Sequence, residues 1–204
     1  QALAGLDVHE QYGMTDTGIS TVHPPHGVNK IGSAGRPMPG LFQTTIANLK
    51  EVRPQAFGSA PIAFGMLAEA MEADTELRDA VFSRMRAFIY GGATLSDDLY
   101  ERLQRLSIAA TGERIPLLTM YGATETQGVT MTHWVLERVG MVGVPLPGTT
   151  LKLAPVGAKM EVRVKGPTVM SGYLNLPEKT AKAFDEEGFY CLKNAARFED
   201  PDHP

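Results

Sequence analysis

The strongest constraint in this chain is an alternation. Between residues 41 and 122, segments with the apolar spacing of helices take turns with short apolar runs that read as buried strands. In "LFQTTIANLKEV", Phe42, Ile46 and Leu49 recur at i, i+4 and i+7, which places them on one helical face. "PQAFGSAP" reads as a short strand closed by Pro61, and Pro61 suits the first turn of the helix "PIAFGMLAEAMEA". The helix "TELRDAVFSRM" then precedes "RAFIYGG", a strand that stops at paired glycines. "SDDLYERLQRLSIAAT" carries a full set of helix-end signals. Ser96 is the N-cap, acids fill the first turn, and Gly112 follows the end. "IPLLTMYG" is the next buried strand. The alternation specifies an α/β fold with parallel strands. Beyond residue 122 the texture is β-rich ("GVTMTHW", "TTLKLAP", "KMEVRVKG") before "PEKTAKAF" returns to helix. Residues 1–40, rich in Gly, Pro, Thr and His, read as turns and short strands.

Bulk properties narrow the function. A length of 204 residues allows one large domain or two small ones, and 43% hydrophobic residues suffice for a packed core. The net charge of −4, with no Lys/Arg run, argues against a nucleic-acid face. The single cysteine, Cys191, excludes an internal disulfide and a Cys-based zinc site, and fits a reducing cytoplasm. No apolar run approaches the roughly 18 residues of a membrane span, and no signal-peptide pattern is present. The opening at Gln1 and the close in "FEDPDHP" read as cut ends.

One phrase occurs twice. "YGMTDTG" starts at Tyr12 and "YGATETQG" at Tyr121. Each is followed at matching distance by Gly-x-x-Gly-x-Pro-x-Pro-Gly, ending at Gly40 and Gly148 with one residue of slippage. Nothing after Gly148 matches residues 41–120, so one segment is doubled and there is no solenoid.

Chemistry concentrates at the ends of two predicted strands, where open α/β sheets bind ligands. Gly91 and Gly92 let a flat ligand approach the backbone. Tyr121 offers a face for a base, and Gly122 permits a tight turn. Thr124 offers a hydroxyl and an N–H to a phosphate. Glu125 offers a carboxylate to Mg²⁺, a hard cation that works alongside phosphates. Nucleotide chemistry is one reading of this set; an ordinary turn, where Tyr-Gly pairs are common, is the other.

"YGATETQG" resembles the Tyr-Gly-x-Thr-Glu motif of the adenylate-forming superfamily of acyl-CoA synthetases, luciferases and peptide-synthetase adenylation domains. "IYGGATLSDDLYERLQ" is similar to its Gly-rich adenine segment, and "EVRVKGPTVMSGYLNLPEKTAKAFDEEGFY" to its downstream segment. "ANLKEVRPQAFGSAPIAFGMLAEAMEAD" and "GERIPLLTMYGATET" look most like the feruloyl-CoA synthase branch. The resemblance implies part of the large N-terminal domain of such an enzyme. It also implies ATP-dependent activation of an acyl or aromatic carboxylic acid, with CoA as acceptor. Carried over by motif, Tyr121 stacks on adenine with Gly92 and Ala93 as its bed. Thr124 contacts the α-phosphate, Glu125 holds Mg²⁺, and Gly91 and Met120 border the acyl pocket. Asn194 falls where the family has a ribose-binding Asp, and Lys193 replaces a glycine. An amide has one acceptor oxygen where a carboxylate has two, which implies weaker ATP binding.

The family's phosphate loop has no match here; "ATGERIP" is closest in composition and lacks the pattern. Its small C-terminal domain, with the catalytic lysine, is also unmatched, so the isolated chain is expected to have little ligase activity. Residues 1–40 read as a stranded segment of a second synthetase, 41–148 as the α/β adenylate-binding subdomain and 149–204 as a β-rich subdomain. Because "GRPMPG" suits both flanking contexts, a chimeric join, by recombination or by an assembly error, is expected near residues 35–40. Amino-acid activation and a non-catalytic nucleotide-binding remnant are the rival readings.

The remaining candidates have bland alternatives. The His23-Pro-Pro-His26 pair, with His9 and His203, reads as solvated loop rather than metal site. His133 and Trp134 either line the site or pack as strand residues. Phe64 either touches the acyl group or packs in the core, the latter being the commoner role, while Met66 and Met71 read as core. No Ser-His-Asp set has spacing support.

Overall fold

The computed structural model describes residues 11–14, 18–22, 36–37, 42–136 and 138–199. The chain forms two compact units, Gln1–Leu117 and Leu118–Pro204.

In the first unit, β1 (Gln11–Met14), β2 (Gly18–Val22) and β3 (Arg36–Pro37) pair antiparallel in that order. The α/β part follows: α1 (Phe42–Val52), β4 (Ala56–Ser59), α2 (Pro61–Ala73), α3 (Thr75–Phe82), β5 (Ala87–Gly91) and α4 (Asp97–Thr111). β4 and β5 are parallel, from Ala56 opposite Ala87 to Ser59 opposite Tyr90, as the alternation implied. Phe64, Leu67, Met71, Leu77, Val81, Phe88 and Leu103 are essentially sealed from solvent. Phe64 packs 5.6 Å from Phe57 and 5.2 Å from Phe88, so β4, β5 and α2 share one aromatic cluster. Phe64 and Met71 are thus core residues, whereas Met66 is 44% exposed.

The helix ends follow from local chemistry. Ser96 Oγ accepts the Leu99 N–H at 3.2 Å, and Gly112 closes α4 at φ 81°. α3 stops at Phe82, short of the Met85 expected from sequence. Ser83 Oγ donates to Ala80 O at 2.6 Å, occupying the carbonyl that a continuing helix would use. Gln104, buried in α4, donates to Ile115 O at 2.9 Å and accepts from Ile115 N–H at 3.0 Å. That two-point clamp aligns the segment whose Pro116 O takes the Phe88 N–H at 2.9 Å.

In the second unit, β6 (Leu117–Ala123, whose first residue ends the first unit), β7 (Gln127–Met131) and β8 (Val144–Pro145) follow one another antiparallel. β9 (Thr150–Val156), β10 (Lys159–Lys165) and β11 (Tyr190–Ala196) form a second antiparallel sheet with β10 central. Val129, Val162 and Val164 make its core, with Tyr121, Leu151, Leu153 and Leu192 against them. α5 (Pro177–Ala181) is shorter than "PEKTAKAF" suggests. The chain after it is drawn into strand pairing: Cys191 N–H donates to Ala183 O at 2.9 Å and Phe184 bridges Tyr190.

The doubled phrase has a doubled register. Tyr12 faces Thr21 and Gly13 faces Ile19, with an irregularity between Tyr12 and Gly13. Tyr121 faces Thr130 and Gly122 faces Gly128, with the same irregularity. Thr21 faces Pro37 as Thr130 faces Pro145.

Asp185 organises the turn into β11. One carboxylate oxygen accepts the N–H groups of Glu187 and Phe189, at 3.1 and 2.9 Å. The other meets Lys152 at 2.8 Å and Arg163 at 3.0 Å. Lys152 first, then the Phe189 N–H and Arg163, hold the carboxyl far below its ordinary value of 3.8.

These contacts have measurable consequences. Gln104→Leu leaves both Ile115 backbone groups buried without partners, and is expected to cost about 2–4 kcal/mol in urea denaturation; Ser96→Ala costs about 1 kcal/mol. Asp185→Asn is expected to lower the Tm at pH 7. Because the folded carboxyl titrates below the unfolded one, its stabilisation is present above the ordinary value of 3.8 and fades as pH falls below it. The Tm gap between wild type and variant should therefore narrow below that pH. A gap independent of pH would show that the charge is not responsible.

Candidate active site

The β6–β7 connection is a short hairpin, with Thr124, Glu125 and Thr126 between the two strands. A Cβ on Gly122 would lie 1.9 Å from Gln127 O, so only glycine lets the two strands approach this closely. Gln127 turns the chain back at φ 57°, a left-handed conformation that a side chain adopts at some cost. Thr126 seals the turn from inside. It is fully buried, its hydroxyl accepts Ala123 N–H at 3.0 Å, and its own N–H donates to Ala123 O at 3.1 Å. Thr124 and Glu125 are left at the tip, Thr124 exposed and Glu125 half-buried.

Glu125 is held by both main chain and side chain. Met170 N–H donates to Glu125 O at 2.8 Å. Tyr173 donates its hydroxyl to Glu125 Oε1 at 3.0 Å, and Tyr190 Oη lies 3.2 Å from Tyr173 Oη. Desolvation first, then the Tyr173 hydrogen bond and the Glu125 charge, push the Tyr190 phenol well up, so it remains a protonated donor.

Tyr121 reaches the other way. Its hydroxyl donates to Asn194 Oδ1 at 3.0 Å while its ring packs on the valine core. Burial pushes its phenol up as well. Asn194 follows Lys193, which sits at φ 60° in β11. The position where the family resemblance implies glycine therefore keeps a glycine-like backbone with a lysine in place. Lys193, Cys191, Tyr190, Tyr173, Lys179 and Lys182 border a cavity of about 740 Å³. Desolvation raises the Cys191 thiol, which keeps it from being a ready thiolate nucleophile.

The structure thus joins Tyr121 to Asn194 and surrounds Glu125 with partners. Gly91, Gly92 and Ala93 lie in the first unit at the end of β5. Gly92 has φ 78°, and a Cβ there would meet nothing within 4 Å among the described residues. Met120 is 44% exposed. His133 and Trp134 lie just beyond β7, both exposed. His9, His23, His26, His203 and most of the 35–40 junction lie outside the described residues.

Magnesium would find a single protein carboxylate here. Among the described residues no group of three His, Cys, Asp or Glu could hold a metal ion. Glu125 Oε2 accepts no hydrogen bond among these residues, while Oε1 is taken by Tyr173. That suits a cation bound through one carboxylate and completed by substrate phosphates rather than by a protein cage.

Tyr173, Tyr190 and Thr126 do not stand out in the sequence. Tyr173 and Tyr190 are 48 and 65 residues from Glu125, so no local spacing reveals them. Thr126 lies inside the motif, but its burial depends on the hairpin closing.

A parallel-strand α/β unit followed by a β-rich unit, with a Tyr-Gly-Ala-Thr-Glu hairpin tip, defines a class of adenylate-forming enzymes. The sequence model described as "AMP-binding enzyme" matches residues 41–174, and the chain belongs to that family. It is 33% identical over 141 residues to a feruloyl-CoA synthase of an Amycolatopsis species, covering 63% of this chain and 27% of that protein. It is 29% identical over 172 residues to a long-chain-fatty-acid–CoA ligase of Bacillus subtilis, covering 72% and 29%. A solved malonyl-CoA ligase, in a ternary product complex with methylmalonyl-CoA and AMP, superposes with TM-score 0.64 at 34% identity, covering 79% of this chain and 35% of that one. The chain spans about a third or less of the length of these relatives. No helix among the described residues is long and apolar enough to cross a membrane.

Gly122→Ala is expected to destabilise the second unit by at least about 3 kcal/mol, because the clash is with backbone and no rotamer relieves it. Lys193→Gly removes left-handed strain and is expected to be neutral or stabilising by up to about 1 kcal/mol. Denaturant titrations of both variants check the pair.

Proposed function

We propose that the chain is part of an ATP-dependent acid–thiol ligase. Such an enzyme joins a carboxylic acid to ATP as an acyl- or aryl-adenylate with release of pyrophosphate, and the CoA thiol then displaces AMP. The observation that supports this reading is the hairpin tip, where an aromatic ring, an exposed threonine and a carboxylate with one free oxygen fall within five residues, inside the stretch matched to the AMP-binding family.

In this reading Tyr121 stacks on adenine, with Gly92 and Ala93 as backbone bed and Gly122 admitting the turn. Thr124 donates to the α-phosphate as the carboxylate attacks, and Glu125 supplies a ligand to Mg²⁺. When bound, Mg²⁺ contributes neutralisation of charge on the phosphates. Asn194 faces the ribose through its single acceptor, already engaged by Tyr121. Gly91 and Met120 border the acyl group. The acid is feruloyl-type in our reading, supported by the 33% identity to feruloyl-CoA synthase. We also assign a cytoplasmic location, which the free thiol of Cys191 supports. Residues 41–148 and 149–204 are the adenylate-binding and β-rich subdomains. Residues 1–40 are a second copy of the Tyr-Gly segment joined near 35–40, supported by the shared strand register.

The test is calorimetry of the chain with nonhydrolysable adenylate mimics bearing feruloyl, long-chain acyl, malonyl and aminoacyl groups. The feruloyl mimic is expected to bind best, and Tyr121→Ala to weaken it at least about 10-fold, from lost base stacking. Asn194→Asp is expected to tighten ATP binding. Preference for the aminoacyl mimic would reassign the substrate; no binding of any mimic would sink the reading.

A further inference from the structure

We propose that Tyr173, backed by Tyr190, is a positioning residue that aims the Glu125 carboxylate at its cation. The inference rests on the reading of Glu125 as a metal ligand.

The direction of the hydrogen bonds is determined by counting protons. An ionised carboxylate only accepts, so Tyr173 spends its one hydroxyl proton on Glu125 Oε1, at 3.0 Å. The 3.2 Å contact between the two phenols must then run from Tyr190 to the Tyr173 oxygen. Donation from Tyr190 polarises the Tyr173 O–H and strengthens its bond to the carboxylate.

The donor is itself clamped. Tyr173 N–H donates to Thr180 Oγ1 at 2.9 Å. Lys179 Nζ sits 3.8 Å from the centre of the Tyr173 ring. Gly172 precedes it where a Cβ would lie 2.7 Å from Thr180 Cγ2, so the chain presses directly on α5. The same segment grips Glu125 a second time through Met170 N–H. One carboxylate oxygen is thereby occupied, and the other is presented in a single orientation. Partners of this kind around a ligating carboxylate alter metal affinity by about 10-fold or more when removed.

The test uses Mn²⁺ as a paramagnetic stand-in for Mg²⁺, with a nonhydrolysable ATP analogue. Binding to the chain is followed by electron paramagnetic resonance. Tyr173→Phe keeps the ring and its contact with Lys179 but loses the donor; it is expected to weaken Mn²⁺ binding about 10-fold and to broaden the bound spectrum. Tyr190→Phe removes only the backing donor and is expected to weaken binding less. Glu125→Gln is expected to abolish the bound signal. Circular dichroism melts without metal separate a folding defect, which lowers the bound fraction without changing the affinity of folded protein. If Glu125→Gln abolishes binding while Tyr173→Phe binds like wild type, the positioning role is overturned and the metal reading stands. A Tyr190→Phe effect larger than that of Tyr173→Phe would overturn the proposed direction of the relay. If wild type binds no Mn²⁺, or Glu125→Gln binds as well as wild type, the metal reading falls and this inference with it.

Discussion

The carbonyl oxygen of Gln127 lies where a side chain on Gly122 would begin. That close approach is possible only for glycine, and the placement of the hairpin tip depends on it. It lets β6 fold straight back into β7, with Gln127 in the left-handed region and the buried hydroxyl of Thr126 bonded inside the turn. With Thr126 turned inward, Thr124 and Glu125 occupy the tip. A looser turn would leave the same residues present but not aimed.

The tip is then tied to distant strands by phenols. Tyr121 reaches Asn194 in β11, and Glu125 reaches Tyr190 in the same strand through Tyr173. β11 is held by Asp185, whose carboxylate gathers two backbone N–H groups and two cations. The proposed nucleotide and metal contacts therefore share a support. Asn194 and Lys193 stand within it as departures from the family pattern. Lys193 retains the backbone shape of a glycine, so the departure alters side-chain chemistry more than geometry.

Much of the architecture was legible because it follows local rules. Ser96 and Gly112 bound α4 as capping chemistry requires, and Pro61 opens α2. The expected parallel pairing appears between β4 and β5. Element lengths were less legible where neighbours compete with the helix. Ser83 ends α3 by taking a carbonyl, and the pairing of Phe184 with Tyr190 ends the helical run after α5. Met66 has the spacing of a core residue but faces outward, since periodicity does not say how wide a buried stripe will be.

By itself, the sequence determined the element order, the start of α2, both ends of α4 and the residues at the hairpin tip, because caps, turns and periodicity act over a few residues. It also carried the doubled Tyr-Gly phrase, whose two copies share a strand register. Only the tertiary structure decided which oxygen of Glu125 stays open, which phenol faces it, and that Tyr121 meets Asn194. Those contacts join residues 48 to 73 positions apart, and their geometry exists only once β6, β11 and the turn before α5 have packed.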